Sequence, residues 1–493
     1  MKQKKVVIIG GGIAGLCTGV YLRKHGFETE ILEMHAVSGG LATAWVRKGY
    51  TFENCVHWFV GSAEGKPLNA TWKEVFDIGR LRFLNDPVYQ VLEKAGRSMV
   101  IHRAPGALER ELIAKAPEDK SAIKEFARNV RKFSKFRFPE GDSLPANLFA
   151  MIRMIPYLPA LSKYGKTTMG KLGQNFRDPL LRAFFTAGLE DLSALAIIMS
   201  LAWMADGNAG YPIGGSPALI GLIEEHYREL GGRIRFKERV ERILVENGRA
   251  SGVRLAGGET VAADVVVSAA DGRATIFDML DGKYIGPKHK KAYETYRPFP
   301  SYVLVSFGVA ADMSGEPGSL VVFQDPPVEI DPQTRAEWLF FRIFNFDPTF
   351  APEGKTSVVA FLATYNDTYW RNLRVKNMSR YQAEKKQIAD RVTAAFEARF
   401  PQAKGKFEVV DIATPATVER YTGNWRGSME GWLLTPTTGF KSLPTTLPGL
   451  KDFYMAGQWL SPGGGLPSGV MTGRAVARRI CRKAGIRWKP RES

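Results

Sequence analysis

KKVVIIGGGIAGLCTGVYLRKHGFETEILE, residues 4–33, is the stretch of sequence that decides the fold. A short apolar run at residues 6–9 leads into clustered glycines, and a helical pattern follows over residues 16–25. A second apolar run then ends at the acidic Glu33. Apolar runs bounded by glycines with a helical pattern between them predict strand, turn, helix and strand, which is the opening unit of a doubly wound α/β domain.

Each residue type in this unit suits the binding of a dinucleotide pyrophosphate at a helix N-terminus. Gly10 permits the tight turn, Gly12 leaves room for the phosphates, and Gly15 lets the helix approach the strand. Glu33 stands eighteen residues past Gly15, where a carboxylate accepts hydrogen bonds from a ribose 2′-hydroxyl and repels a 2′-phosphate. The alternative is a purely structural glycine turn. The predicted cofactor contacts of this unit are Gly10, Gly12, Ile13, Ala14, Gly15 and Glu33.

Length and composition indicate a globular protein without a disulfide framework or a metal site. The 493 residues suffice for two or three domains, and 45% of them are hydrophobic. Cys17, Cys55 and Cys481 form no CxxC pair, which argues against disulfides and zinc and favours a reducing, intracellular compartment. No apolar stretch approaches the roughly 20 residues of a spanning helix, and residues 2–9 do not make a signal peptide.

The formal charge of +18 favours acidic partners. We find no nucleic-acid-binding module, so an anionic lipid surface is the better candidate, and a solvated basic surface without a partner is the alternative. Ile123, Phe126, Val130 and Phe133 recur at helical spacing between basic residues, and the apolar residues 144–161 are broken by prolines. Residues 120–161 therefore predict membrane-contact helices on a cytoplasmic, peripheral protein, unless both faces pack on the protein's own core.

The sequence predicts domains that are each built from separate segments of the chain. After a helical region predicted from about residue 71 to residue 207, strand patterns return at residues 233–236, 240–245, 252–255 and 265–267, and the last of these predicts a buried parallel strand. Strand, glycine turn and helix recur at residues 452–481. We expect an FAD-binding or NAD-binding domain at residues 1–75, 208–285 and 444–493. A substrate domain is expected at residues 76–207 and 286–443, with a broad sheet and one long helix at residues 378–400.

Four separate places resemble the phytoene desaturase, carotenoid isomerase and retinol saturase group of amine-oxidase-like flavoproteins. They are residues 10–15 with Glu33, residues 211–215, residues 414–424 with Gly427 and Gly431, and residues 453–469. The resemblance implies a Rossmann-like, discontinuous FAD-binding domain with an inserted α+β substrate domain. It also selects FAD over NAD, since no second GxGxxG unit follows a strand. The electron partner stays open between oxygen, a quinone and a transient nicotinamide.

The same resemblance implies further contacts with FAD. Gly39 and Gly40 match a second fingerprint, in which Leu41 stands where many members carry arginine, and Val240 matches the strand that lends backbone groups to the adenine. Gln458 stands where many flavoproteins carry an aspartate on the ribityl chain. The C-terminal contacts implied are Gly457, Gln458, Gly464, Gly465, Leu466, Pro467 and Ser468. Residues implied near the flavin, without an assigned catalytic role, are His57, Tyr211, Arg420, Trp459 and Ser461.

The activity expected from the resemblance is desaturation, saturation or isomerisation of carbon–carbon double bonds in a hydrophobic isoprenoid or polyene lipid. A flavin can take or give a hydride, so the protein need only bind, orient and exclude water. Two alternatives remain. One is a flavin-dependent amine oxidase acting on a small amine, and the other is a non-catalytic flavin-binding protein at a membrane surface.

Overall fold

A computed structural model describes residues 3–136, 152–186 and 188–489. Its strands are β1 Lys5–Ile9, β2 Glu28–Glu33, β3 Ala44–Arg47, β4 Tyr50–Glu53, β5 Phe59–Val60, β6 Phe83–Leu84, β7 Val88–Lys94, β8 Arg97–His102, β9 Ala209–Pro212, β10 Arg233–Phe236, β11 Val240–Glu246, β12 Arg249–Leu255, β13 Thr260–Ala262, β14 Val265–Ser268, β15 Ser301–Val309, β16 Ser319–Asp331, β17 Thr334–Ile343, β18 Thr356–Thr364, β19 Phe407–Ala413 and β20 Phe453–Met455. Its α-helices are α1 Ile13–Lys24, α2 Pro67–Lys73, α3 Pro105–Lys115, α4 Lys120–Phe133, α5 Leu158–Gly165, α6 Met169–Gly173, α7 Pro179–Thr186, α8 Ala194–Ala205, α9 Gly215–Glu229, α10 Pro287–Thr295, α11 Asp367–Lys376, α12 Met378–Arg399, α13 Pro415–Thr422 and α14 Gly465–Lys483.

The first sheet is parallel and collects strands from distant parts of the chain, in the order β10-β2-β1-β14-β20. Val7 pairs with Val266 of β14 on one side and with Glu30 of β2 on the other. The strands β1 and β14 are buried along almost their whole length, because α1, α9 and α14 cover one face of the sheet and the antiparallel strands β11, β12 and β13 pack on the other. The Rossmann-like, discontinuous fold expected from the sequence is confirmed.

A larger, mixed sheet has the order β19-β15-β18-β17-β16-β7-β8. One face packs on α12, and together they form a core that includes Phe307, Phe341 and Phe396. The opposite face turns towards the α-helices between residues 105 and 205. This sheet and these helices form the α+β part of the molecule.

The region expected to be helical from residue 71 to residue 207 is not wholly helical, and that expectation is wrong for β7 and β8. These strands form a hairpin whose turn places Ala95 at φ 49° and Gly96 at φ 77°. Successive positive φ values suit the twist of a tight hairpin. β7 then pairs in parallel with β16, so part of the helical region extends the large sheet.

The basic amphipathic helix predicted near residue 123 is α4, but its apolar face points inward. Ile123, Phe126, Val130 and Phe133 are each at most 2% exposed and belong to the core beneath α8. Assigning this face to a lipid interface is therefore a wrong prediction, since the face is covered by the protein itself. Residues 137–151 of the predicted membrane-contact segment lie outside the described residues. Among the described residues, no helix is long and apolar enough to cross a membrane.

Candidate functional site

The glycine turn after β1 forms an open cradle at the N-terminus of α1. Gly10 has φ 95°, and a Cβ on Gly15 would lie 1.9 Å from the carbonyl oxygen of Gly10, so both glycines are required by the backbone. Gly12 is different, because the nearest protein atom to its Cβ position is the Gly39 oxygen at 3.7 Å. No side chain of the described residues caps α1 at Gly12. Free backbone N–H groups, Ile13 and Ala14 among them, thus begin a helix beside empty space.

Glu33 lies at the end of β2 beside this cradle. Its carboxylate accepts hydrogen bonds from the backbone N–H groups of Gly11, at 2.6 Å, and His35, at 2.8 Å. Val240 lies close by, since both Leu32 and Val240 belong to one core cluster and the backbone N–H of Glu238 donates to the Glu33 carbonyl. The predicted ribose and adenine contacts are therefore neighbours.

The second glycine pair lies against the first turn. The backbone N–H of Gly39 donates to the carbonyl of Gly11 at 3.0 Å, and Gly39 and Gly40 adopt φ values of 123° and 63°. A Cβ on Gly40 would lie 3.5 Å from the Cα of Gly12. Leu41 follows, half-buried, and its carbonyl accepts a hydrogen bond from Asn54 at 3.0 Å. This pair therefore walls one side of the cradle.

The C-terminal glycines bring a second helix N-terminus to the same place. A Cβ on Gly457 would lie 3.7 Å from the Cβ of Ala14, and one on Gly469 would lie 2.6 Å from the Cγ2 of Ile13. The helix α14 begins after Gly464 without a capping side chain among the described residues. Half-exposed Gly465, Leu466 and Pro467 form its first turn, and the Ser468 hydroxyl donates to the Gly465 carbonyl. Two uncapped helix N-termini therefore converge, as the recurrence of strand, glycine turn and helix predicts.

Asn424, the last residue of the motif at residues 414–424, is hydrogen-bonded to the turn that follows Gly457. Its side-chain oxygen accepts hydrogen bonds from Gln458 at 3.2 Å and from the indole of Trp459 at 2.9 Å. Trp459 is 4% exposed and packs edge-on against Trp432, so its ring is a core residue rather than a cavity residue. Ser461 faces the hydroxyl of Ser442 at 3.3 Å near the surface. Gln458, Trp459 and Ser461 thus shape the turn, and their predicted contacts with a cofactor stay predictions.

Tyr211 and Arg420 are also engaged elsewhere. Tyr211 is 1% exposed, and its hydroxyl donates to the carboxylate of Asp347 at 3.0 Å. The pKa of Tyr211 is raised by burial and then by the nearby Asp347 charge, so it holds its proton. Arg420 is exposed and stacks on Tyr421, with its Cζ 4.3 Å from the ring centroid. The roles predicted for Tyr211 and Arg420 near a flavin stay predictions.

His57 lies among aromatic rings that form a row. Its ring centroid lies 5.1 Å from that of Phe361 and 6.0 Å from that of Phe340. Its Nδ1 is buried without a hydrogen-bond partner among the described residues. Burial, with a smaller contribution from Arg342, lowers the pKa of His57 to about 3, so the ring is neutral.

This row, which we call the aromatic wall, leads away from the glycine cradle. It begins where Tyr302 donates to Asn54 at 2.6 Å, beside Leu41. Successive ring contacts of 5.1 to 6.4 Å then connect its members. The aromatic wall consists of Tyr302, Phe361, Phe340, His57, Trp58 and Tyr89. All except Tyr302 are half-buried inside the molecule, which suits the lining of an apolar channel.

Glu430 is a candidate that the sequence reasoning missed. Its Oε2 lies 2.9 Å from the Cβ position of Gly464, at the start of α14. The carboxylate makes no hydrogen bond or ion pair with a described residue, and burial raises its pKa to about 8. Its charge in turn contributes to the raised pKa of Cys55. The sequence feature that could have pointed to Glu430 is its position between Gly427 and Gly431, since both glycines lie against the backbone of other segments.

Comparison with known proteins gives matches over almost the whole chain. Residues 13–481 match the family described as flavin containing amine oxidoreductase. The chain is 25% identical to a chloroplastic prolycopene isomerase of Daucus carota, over 99% of this chain and 82% of the relative. It is 23% identical to a lycopene-forming phytoene desaturase of a Paracoccus species, over 96% and 97%. A putrescine oxidase variant has the same fold, with a TM-score of 0.61, 16% identity and coverage of 98% and 99%.

Proposed function

The chain belongs to the family of flavin containing amine oxidoreductases, and from this premise we propose that it desaturates, saturates or isomerises carbon–carbon double bonds of a polyene or isoprenoid lipid. The observation that carries the proposal is the aromatic wall, which leads from the glycine cradle into the interior. The activities named for two relatives, a prolycopene isomerase and a phytoene desaturase, support the same substrate class.

FAD is the cofactor, and the residues of the site fit it. Gly12 leaves the space that a pyrophosphate needs, and both α1 and α14 begin without a capping side chain in the described residues. The helix dipoles favour an anion at α1 and electron-rich ring atoms at α14. When bound, FAD supplies the hydride acceptor or donor of the reaction.

The chain's own residues supply the rest of the chemistry. The aromatic wall orients an extended substrate and keeps water away from it, while the neutral His57 adds no charge. Glu430 is the ionisable group beside the start of α14 that has no partner among the described residues. Its carboxyl group, protonated at neutral pH because burial raises its pKa, can give a proton to a substrate carbon and take it back.

A small amine is a poorer fit to these residues. Two buried guanidinium groups, Arg103 and Arg342, act on the aromatic wall. The Arg342 charge contributes to the lowered pKa of His57, and both charges act on Tyr89. Positive charge repels a cationic substrate. The likeness to a putrescine oxidase variant concerns the fold.

Reduction of the bound flavin under anaerobic conditions tests the proposed function. We expect phytoene to bleach the flavin absorbance in a stopped-flow experiment, or prolycopene to isomerise on the chemically reduced protein, and we expect putrescine to do neither. Bleaching by putrescine alone would favour the amine oxidase. A flavin that responds to no polyene and no amine would favour the non-catalytic protein.

A lipid substrate also has to reach the site, and we propose that the protein takes it from a membrane surface. Ile152, Ile155 and Leu158 are apolar, yet they are 55%, 58% and 50% exposed. They are three residues apart, the spacing that places side chains on one face of a helix. The exposed Lys163 lies at the other end of α5. Apolar residues flanked by basic ones suit an anionic bilayer.

Replacing Ile155 and Leu158 by aspartate should abolish flotation with anionic liposomes, because each removes exposed apolar surface and adds a repulsive charge. The FAD content should not change. The matched control replaces the exposed Val375 and Met378 by aspartate, since both lie far along the chain on other helices. Equal flotation of the two variants would contradict the proposal.

A further inference from the structure

Arg103 and Arg342 are buried cations without an anionic partner. Each is 6% exposed, and neither makes an ion pair with a described residue. The Arg342 guanidinium donates to the Gly318 carbonyl at 3.0 Å, and that of Arg103 donates to the Ala209 carbonyl at 3.5 Å. The Nε of each is buried without a hydrogen-bond partner. A buried guanidinium group that lacks an ion pair and some of its hydrogen bonds is costly in free energy, unless another group, such as an anion, pairs with it.

The two guanidinium groups act on each other and on the same neighbours. The Arg103 charge helps to lower the pKa of Arg342, after the larger effect of burial, to about 10, so Arg342 is charged at neutral pH. Asp86 is the acidic group that acts on both. Its Oδ1 is already bonded to the backbone N–H of Val88 at 2.8 Å, and one carboxylate leaves a net positive charge. The cluster therefore lacks an anion.

This cluster lies at the far end of the aromatic wall. Arg342 and Phe340 are on the same face of β17, two residues apart, and the Arg342 charge lowers the pKa of His57. Both guanidinium charges also act on the half-buried Tyr89, which ends the wall. The phenol of Tyr89 has no protein partner among the described residues. Apolar rings thus lead from the cofactor site to two cations and a free hydroxyl.

We propose that Arg103, Arg342 and Tyr89 bind an oxyanion at one end of the lipid substrate, while the aromatic wall holds its apolar chain. Planar guanidinium groups match carboxylate and phosphate oxygens, and a buried cluster holds them more strongly than a surface one. The substrate class is then an acidic polyene or isoprenoid, either a carboxylate or a phosphate ester. This inference rests on the proposed function, which concerns the reaction at the other end of the channel.

Matched ligand pairs test the inference by calorimetric titration of the FAD-loaded protein. All-trans-retinoic acid is compared with all-trans-retinol, and farnesyl phosphate with farnesol. We expect the acidic member of at least one pair to bind about 10-fold to 100-fold more tightly, as charge-assisted hydrogen bonds in a buried site do. The pair that shows the preference identifies carboxylate or phosphate.

The variant Arg342→Met should remove most of this preference while the alcohols bind as before, and Arg342→Lys should retain part of it. Arg103→Met is a second, independent variant should the first not fold. Arg254→Met is the control, since Arg254 is an exposed arginine of β12. Equal binding of acid and alcohol in both pairs, or failure of both acids to bind, overturns the inference. Flavin bleaching by phytoene, measured in parallel, tests the proposed function by itself.

Discussion

Replacing Gly12 by alanine is expected to leave the apoprotein folded and to weaken FAD binding by at least about 100-fold, or about 2.7 kcal/mol. The backbone of Gly12 is extended, at φ −72° and ψ −179°, which alanine adopts without strain. The nearest protein atom to the new methyl group lies at 3.7 Å, an ordinary contact. The methyl group occupies the space beside the free N–H groups of α1, where a pyrophosphate has to approach.

The measurement combines an FAD titration of the apoprotein with its thermal unfolding. Gly221→Ala is the matched control, because Gly221 lies within α9 with no atom near its Cβ position, and it should keep full FAD affinity. Gly15→Ala gives the opposite pattern, since its Cβ would lie 1.9 Å from the Gly10 oxygen and should disturb folding itself. A Gly12→Ala protein with normal FAD affinity would show that the phosphates lie elsewhere.

The opening unit could be predicted from the sequence because each of its requirements is local. A turn with positive φ at Gly10, a close approach at Gly15 and a carboxylate at the end of β2 all act within 33 residues of the N-terminus. The distant partner β20 was predictable for a related reason, since a strand followed by glycines and a helix repeats the same local pattern.

The surroundings of the apolar face of α4 could not be predicted in the same way. Its apolar spacing shows that one face avoids water, but a protein core and a lipid interface satisfy that requirement equally well. Only the packing of Phe126 and Val130 beneath α8 decides between them. The β7–β8 hairpin was missed because its turn residues, Ala95 and Gly96, are a weaker hairpin pattern than Asn-Gly or Asp-Gly.

The unpaired charges could not be predicted from the sequence either. Arginines and glutamates are usually exposed, so their types say nothing about Arg342 or Glu430 until the fold buries them. Whether a buried charged side chain has a partner depends on the tertiary structure, because the fold decides which residues, distant in sequence, lie next to it. These residues are the ones that carry the chemistry proposed above.

Replacing Glu430 by glutamine is expected to lower the rate of flavin reduction by a polyene about 100-fold to 1,000-fold, the usual effect of losing a general acid or base. Flavin reduction by desaturation also removes a proton from the substrate, which the Glu430 carboxylate can accept; glutamine keeps the size of the side chain but cannot accept that proton. FAD affinity should change little, because no described residue depends on this carboxylate for a hydrogen bond. The measurement is a single-turnover reduction by the substrate identified in the bleaching experiment.

The pH dependence separates a proton-transfer role from a structural one. Burial raises the pKa of Glu430 from 4.5 to about 8, so the carboxylate that accepts the substrate proton forms as the pH rises through about 8. The stability that this raised pKa contributes is complete below pH 4.5 and is lost between about pH 4.5 and about pH 8. The rate of the native protein should therefore rise through about pH 8, while its melting temperature declines from about pH 4.5 to about pH 8 and levels off above it.

In Glu430→Gln both pH effects should disappear, leaving a lower and flatter rate profile and a flatter melting profile. Glu419→Gln is the matched control, because burial also raises the pKa of Glu419, yet Glu419 lies on α13 within 3.5 Å of Arg371. That variant should keep the native rate and its rise near pH 8. If the Glu430→Gln protein retains the rise in rate, another group accepts the proton; if its melting profile also retains the decline, the ionisation near pH 8 does not belong to Glu430.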